Sequence, residues 1–129
     1  MRITRTDKEK ERSGVWTDYE GVKMLVARST NNPRYETAVT KAIAPYSDNN
    51  TGRKQKLTAD KSKHLMIKVL ANQVLLDWET FEDADGISQE YTVDAAIKLL
   101  TEDGDCRDFI TNFAGDIDNY MKEEDVAGK

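Results

Sequence analysis

Cysteine and histidine are almost absent from this sequence, which has one of each, Cys106 and His64, among 129 residues. A single cysteine excludes an internal disulfide, and with one histidine it cannot complete a Cys/His zinc site. The sequence also lacks a glycine-rich phosphate loop, an HExxH motif and a G-x-S-x-G nucleophile motif. We therefore expect a protein that is not an enzyme, holds no cofactor or metal, and works in a reducing cytoplasm.

Long apolar runs are missing as well. The longest nearly apolar stretch, Leu65 to Leu76, contains three polar residues and is far shorter than the roughly 20 apolar residues of a membrane span. The basic N-terminus leads into the charged residues 9–12 rather than into the apolar segment of a signal peptide. We expect neither a membrane span nor an export signal.

The charge balance is acidic, with 24 Asp and Glu against 19 Lys and Arg and a net charge of -5. A nucleic-acid-binding domain is normally basic or carries a dominant basic stripe, so nucleic acid is not an expected partner. The most concentrated basic run contains Arg53, Lys54 and Lys56. It is either a solvated face or a contact for an acidic partner.

The two ends of the chain differ in composition from its middle. Residues 1–12 carry five basic and three acidic side chains with little apolar content, which predicts a flexible basic arm. Residues 123–129 predict a flexible acidic tail. The segment between them, 13–122, has the length and apolar content of a single globular domain.

The predicted fold is mainly α, of the α+β class, with an N-terminal β-hairpin followed by about four helices around a long central helix. Two β-rich runs around Gly21 predict a hairpin over 15–28. Capping residues Asn32, Thr58 and Thr92 and the apolar spacing predict helices over about 33–44, 58–81, 92–102 and 106–122. Pro45 is expected to end the first of these helices.

One acidic turn resembles a calcium loop but has the wrong spacing. Asp83, Asp85 and Gly86 suggest an EF-hand, yet the first and twelfth loop positions would be Phe81 and Thr92, neither of which is a carboxylate. We therefore expect a plain turn at this place.

Several short segments follow one another in a recognisable order along the chain. They are Trp16 with the run 19–28, Asn32-Pro33, the run 74–79, Asp83–Gly86, Tyr91-Thr92, the run 106–110 and Asn119-Tyr120. This order, over about residues 15–122, resembles that of the tail assembly chaperones of long-tailed, siphovirus-like bacteriophages.

This resemblance implies a small helper that acts in the host cytoplasm without ATP and is absent from the mature virion. Its implied partners are the tape measure protein, which it would hold soluble, and the major tail (tube) protein, whose subunits it would deliver around the tape measure protein. Self-association and a longer frameshifted form of the same chain are further implied partners.

Such a helper needs apolar contact surface on a charged body. The hairpin and the last predicted helix supply the candidate partner-binding residues, although each of these side chains could belong to the core instead. The candidates are Trp16, Tyr19, Met24, Phe109, Phe113 and Tyr120, together with the basic residues Arg53, Lys54 and Lys56.

Two other functions fit the same sequence. A tail completion or connector protein would be retained in the virion as a structural component. A small nucleic-acid-binding regulator would use the basic segment from Arg53 to Lys68, with binding that depends strongly on salt.

Overall fold

The computed structural model describes residues 5–47 and 56–122. Within these ranges the chain has five α-helices, five short strands and a final 3₁₀ turn. In order, these elements are α1 (Lys8–Ser13), β1 (Val15–Tyr19), β2 (Val22–Val26), α2 (Pro33–Ser47), α3 (Ala59–Gln73), β3 (Leu75–Trp78), β4 (Phe81–Glu82), β5 (Ser88–Gln89), α4 (Val93–Glu102), α5 (Gly104–Gly115) and the 3₁₀ turn (Ile117–Tyr120). The predicted mainly α, α+β class with an N-terminal hairpin is confirmed.

The predicted hairpin forms from β1 and β2, which pair in antiparallel fashion. Both central residues of its turn have positive φ, +50° at Glu20 and +87° at Gly21. This is the geometry that a two-residue turn needs to match the twist of the strands. The Gly21 N–H donates to the Asp18 carboxylate over 2.7 Å, which fixes the turn.

A third strand was not predicted. β3 pairs antiparallel with β2, which gives a three-stranded sheet in the order β1-β2-β3. The predicted helix over 58–81 is therefore wrong beyond Gln73. An apolar run of this kind fits either a helix or a strand, and the pairing of Met24 with Trp78 across the sheet decides for the strand.

The predicted start of this central helix is confirmed, because the Lys61 N–H donates to the Thr58 hydroxyl oxygen over 3.2 Å. Beyond its C-terminus, the Tyr91 hydroxyl donates to the carbonyl of Leu75 over 2.7 Å. This bond ties the start of β3 to the segment before α4. The short strands β4 and β5 then form a separate pair around the predicted acidic turn.

Two other helix ends differ from the prediction. α2 continues to Ser47 instead of ending before Pro45. Pro45 has no backbone N–H and so lacks one helical hydrogen bond. The cost is small because Pro45 is exposed and lies in the last turn of α2, where few further hydrogen bonds follow. The predicted helix 106–122 is divided: α5 ends at Gly115, and Asp116 starts the 3₁₀ turn by accepting from the Asp118 N–H over 2.9 Å.

The predicted flexible basic arm is wrong for its described part. Asp7 caps α1, and the Asp7 N–H donates to the Tyr120 carbonyl over 2.8 Å. Thr6 forms an antiparallel bridge with Met121, so the beginning and end of the described chain lie side by side. Glu11 is buried and forms an ion pair with buried Arg28. Residues 1–4 and the predicted acidic tail 123–129 lie outside the described residues.

One hydrophobic cluster joins these elements. It lies between the inner face of the sheet and helices α3, α4 and α5. Its buried members are Met24, Val26, Ile67, Leu70, Ala71, Val74, Leu75, Trp78, Ala96, Leu100, Cys106, Ile110 and Ala114.

Candidate protein-binding surfaces

Two of the predicted partner-binding residues are in the interior. Met24 is 1% exposed and Tyr120 is fully buried, so their assignment to a binding surface is wrong. Met24 lies on the inner face of the hairpin, because neighbouring residues of a strand point to opposite faces and the next residue, Leu25, is on the outer face. The Tyr120 hydroxyl donates to the Val26 carbonyl over 3.0 Å, and burial raises the pKa of this phenol.

Three predicted aromatic residues form a half-buried row between the hairpin and α5. The ring centroids of Tyr19 and Phe109 are 5.1 Å apart, and those of Phe109 and Phe113 are 6.1 Å apart. These contacts attach the turn end of the hairpin to α5. The three rings therefore contribute to packing while part of each surface stays open to solvent.

Trp16 is the predicted residue that the structure places most clearly on the surface, with 49% of its area exposed. It stands on the outer face of the sheet, opposite Leu25, and Leu25 is in turn opposite Asp77 of β3. β1 is an edge strand of this sheet. An exposed indole on a sheet edge is a common anchor for a partner protein.

The predicted basic contact is only partly described. Lys56 is exposed, as are Lys61 and Lys63 on the first turns of α3. Arg53 and Lys54 lie outside the described residues. His64 is exposed as well.

A further surface was not predicted at all. A cleft of about 330 Å³ opens between the hairpin turn, the β4 strand with its turn, and the junction of α4 and α5. We call it the acidic cleft, because acidic side chains line it around apolar ones. The apolar set is Tyr19, Val22, Met24, Phe81, Ala84, Leu99 and Cys106, and the acidic set is Glu20, Glu82, Asp83 and Asp103.

The negative potential of the acidic cleft acts on two groups that line it. The pKa of the Cys106 thiol is raised to about 12, first by burial and then by the charges of Asp103 and Glu20. The pKa of Tyr19 is also raised, by burial and then by the same two carboxylates. Cys106 is fully buried, which is typical of a structural rather than a reactive cysteine.

Alkaline pH should therefore destabilise the fold. Between the ordinary thiol pKa of 9.0 and the folded-state value of about 12, the unfolded chain loses the Cys106 proton while the folded chain retains it. The free energy of unfolding then falls as pH rises above about 9. Urea unfolding between pH 7 and 10 should show this fall, with a shallower slope for Cys106→Ala. Identical slopes for the two proteins would show that the Cys106 thiol is not the cause of the pH dependence.

Asp83 organises the turn beside the acidic cleft. Its carboxylate accepts from the backbone N–H groups of Ile87 and Asp85 over 3.0 and 2.9 Å, and from the Gln89 amide over 2.9 Å. The hydrogen bond from Ile87 is the main cause that lowers its pKa. This is the plain turn that the sequence predicted, held by an aspartate that mimics backbone bonding.

In residues 5–47 and 56–122, no group of three or more His, Cys, Asp or Glu side chains is arranged to hold a metal ion. Over the same ranges, no helix has the length and apolar character needed to cross a membrane. Among the described residues, the outer sheet face with Trp16 and the acidic cleft are candidate contact surfaces for a partner protein.

Comparison with known proteins gives one match. The model of the YdaY prophage protein family matches residues 30–129, well over half of the chain. The chain belongs to the YdaY prophage protein family and is a phage-associated protein. No curated protein and no solved structure matches it.

Proposed function

We propose that this protein is a tail assembly chaperone that binds the tape measure protein and the tail tube subunits during phage tail assembly. It acts through protein contacts alone, without catalysis, ATP or a cofactor. The observation that carries the proposal is the exposure of Trp16 on the outer face of an edge strand. Membership of a prophage protein family and the resemblance of residues 15–122 to tail assembly chaperones support it.

The geometry of β1 suits the temporary binding of a partner. An edge strand offers unpaired N–H and C=O groups to an added segment, and the neighbouring indole supplies apolar contact area. The exposed charges of Asp18, Lys23 and Asp77 on the same face keep the sheet soluble when no partner is bound. A chaperone needs this combination, because it must both hold and release its client.

Replacement of Trp16 by serine should weaken client binding without unfolding the protein. A buried tryptophan anchor often contributes enough that its loss lowers affinity by at least about tenfold. Because about half of the Trp16 area is already exposed in the free protein, the free energy of unfolding should fall by only about 1–2 kcal/mol, less than for a fully buried aromatic side chain. The measurement is the amount of tape measure protein that copurifies with each variant.

Ile117→Ser is the matched control, since Ile117 is an apolar side chain with 40% exposure in the 3₁₀ turn. It should copurify as much tape measure protein as the unchanged chain. Equal recovery by Trp16→Ser and Ile117→Ser would remove Trp16 from the binding surface. Mass spectrometry of purified particles separates the chaperone from a connector protein, because a chaperone is absent from finished particles and a connector is present.

A further inference from the structure

The acidic cleft combines contact area with charge of one sign. Val22, Phe81 and Leu99 line it and are only half-buried, so apolar surface remains open inside it. Glu20 and Glu82 are exposed, while Asp83 and Asp103 are half-buried. The volume of about 330 Å³ is at the lower end of the range for ligand pockets, which suits one or two large side chains.

The carboxylates of the acidic cleft form no ion pair with another described residue. Across the part of the chain that the structure describes, no lysine or arginine nitrogen lies within ion-pair distance of Glu20, Glu82, Asp83 or Asp103. Lys98 acts on Asp83 only through a longer-range attraction. A partner that brings positive charge would therefore meet carboxylates that hold no ion pair with the described residues, although Asp83 and Asp103 already accept hydrogen bonds.

We propose that the acidic cleft binds a peptide segment of a partner protein in which a large apolar side chain is flanked by lysine or arginine. The apolar side chain would lie against Val22, Phe81 and Leu99, while the basic groups would meet Glu20 and Glu82 at the exposed edge. That this partner is a tail protein rests on the proposed function. The preference for a basic and apolar segment rests on the acidic cleft alone.

The lining of the acidic cleft disfavours other occupants. An anionic or strongly acidic segment would be repelled by the carboxylates. A bare cation would gain nothing from the apolar lining, and the described residues hold no cluster suited to a metal ion. A basic and apolar segment is complementary to both parts of the surface.

The test uses the full chain and two synthetic helical peptides that share a leucine pattern but carry either lysine or glutamate at the remaining positions. Binding is measured by fluorescence anisotropy at about 0.05 M and about 0.5 M NaCl, where charge screening differs strongly. The lysine peptide should bind, and the higher salt should weaken its binding. The glutamate peptide should not bind.

The double variant Glu20→Asn, Glu82→Gln removes two exposed charges from the acidic cleft. Asparagine suits the positive φ of position 20, so this variant should remain folded. Its affinity for the lysine peptide should fall about five- to tenfold, since each exposed ion pair contributes modestly. The control Glu36→Gln, Asp60→Asn removes two exposed acidic groups from α2 and α3 and should leave the affinity unchanged.

Equal losses in the two double variants would show a general effect of net charge and overturn the proposal, as would binding of the glutamate peptide. Since neither peptide is a tail protein, these results do not depend on the chaperone proposal. If the tape measure protein failed to bind while the lysine peptide bound as described, only the proposed function would be lost.

Discussion

Replacement of Arg28 by alanine should lower the free energy of unfolding by about 3–5 kcal/mol, the usual result when one partner of a buried ion pair is removed. Arg28 and Glu11 are both buried, and their side chains form the ion pair that joins α1 to the segment after β2. Without the guanidinium, the Glu11 carboxylate would stay in the interior, where the one remaining hydrogen bond from a described side chain is the 3.5 Å contact of the Asn31 amide. Since small domains are stable by about 5–15 kcal/mol, this is a large fraction of the total.

Urea unfolding at neutral pH measures this effect, and Arg12→Ala provides the matched control. Arg12 is on the same short helix but exposed, so its loss should cost no more than about 0.5 kcal/mol. The double variant Glu11→Leu, Arg28→Met should recover much of the loss, because it leaves no unpaired buried charge. A cost below about 1 kcal/mol for Arg28→Ala would mean that α1 is not held to the fold by this pair.

Replacement of Trp78 by alanine should cost about 3–5 kcal/mol, as large-to-small changes of buried aromatic residues do. Trp78 is 4% exposed, and its ring packs edge-on against Phe81 and Tyr91 with centroid distances of 5.6 and 5.0 Å. Its indole N–H donates to the Gln89 carbonyl over 3.1 Å. One side chain therefore joins the three-stranded sheet, the β4–β5 pair and the segment before α4.

Trp78→Phe separates the two contributions of this side chain. It retains most of the apolar area but loses the hydrogen bond to Gln89, so the cost should be nearer to 1–2 kcal/mol, about that of one buried hydrogen bond with a small packing defect. Urea unfolding of both variants gives the comparison. Similar losses for alanine and phenylalanine would show that the hydrogen bond, rather than packing, dominates at this position.

Local patterns in the sequence were sufficient for much of the fold. The hairpin follows from two β-rich runs around Gly21, and the starts of the helices follow from capping residues. Thr92, for example, accepts from the Ala95 N–H over 2.9 Å at the start of α4. Asn32 accepts from the Tyr35 N–H over 3.3 Å at the start of α2. Signals of this kind depend on a few neighbouring residues, so they can be recognised without knowledge of the whole structure.

The errors come from contacts between distant parts of the chain. The segment Leu75–Trp78 became a strand because β2 offered it a partner, and nothing within the segment itself excluded a helix. Residues 8–13 are ordered because Glu11 forms an ion pair with Arg28. The backbone just before them is also held, since the Asp7 N–H donates to the Tyr120 carbonyl and Thr6 forms a bridge with Met121. The high charge and low apolar content of that segment predicted a flexible arm.

The candidate surfaces also depend on contacts between distant parts of the chain, which local sequence patterns do not reveal. Trp16 is exposed and Met24 is buried because they lie on opposite faces of one hairpin. Both faces of β2 contain apolar residues, so the sequence alone does not show which face the rest of the protein covers. The acidic cleft was missed because its lining comes from the hairpin, β4 and its turn, α4 and α5. No local motif signals a surface built in this way.

The family match begins at residue 30, after the hairpin. Yet Met24, Val26 and Ala27 are buried, and the Ala27 N–H donates to the Val74 carbonyl over 2.8 Å. The described part of this N-terminal segment, residues 5–29, therefore completes the core of this protein and also presents Trp16. Any fragment chosen for binding experiments should include them.

We propose that the protein holds tail proteins soluble, and co-expression with the tape measure protein of the same phage tests this proposal most directly. The measured quantity is the fraction of tape measure protein that stays in the supernatant after centrifugation, with and without this chain. We expect a clear rise in that fraction, and the two proteins should elute together in size-exclusion chromatography. An unchanged, aggregated tape measure protein in the presence of abundant folded chain would contradict it.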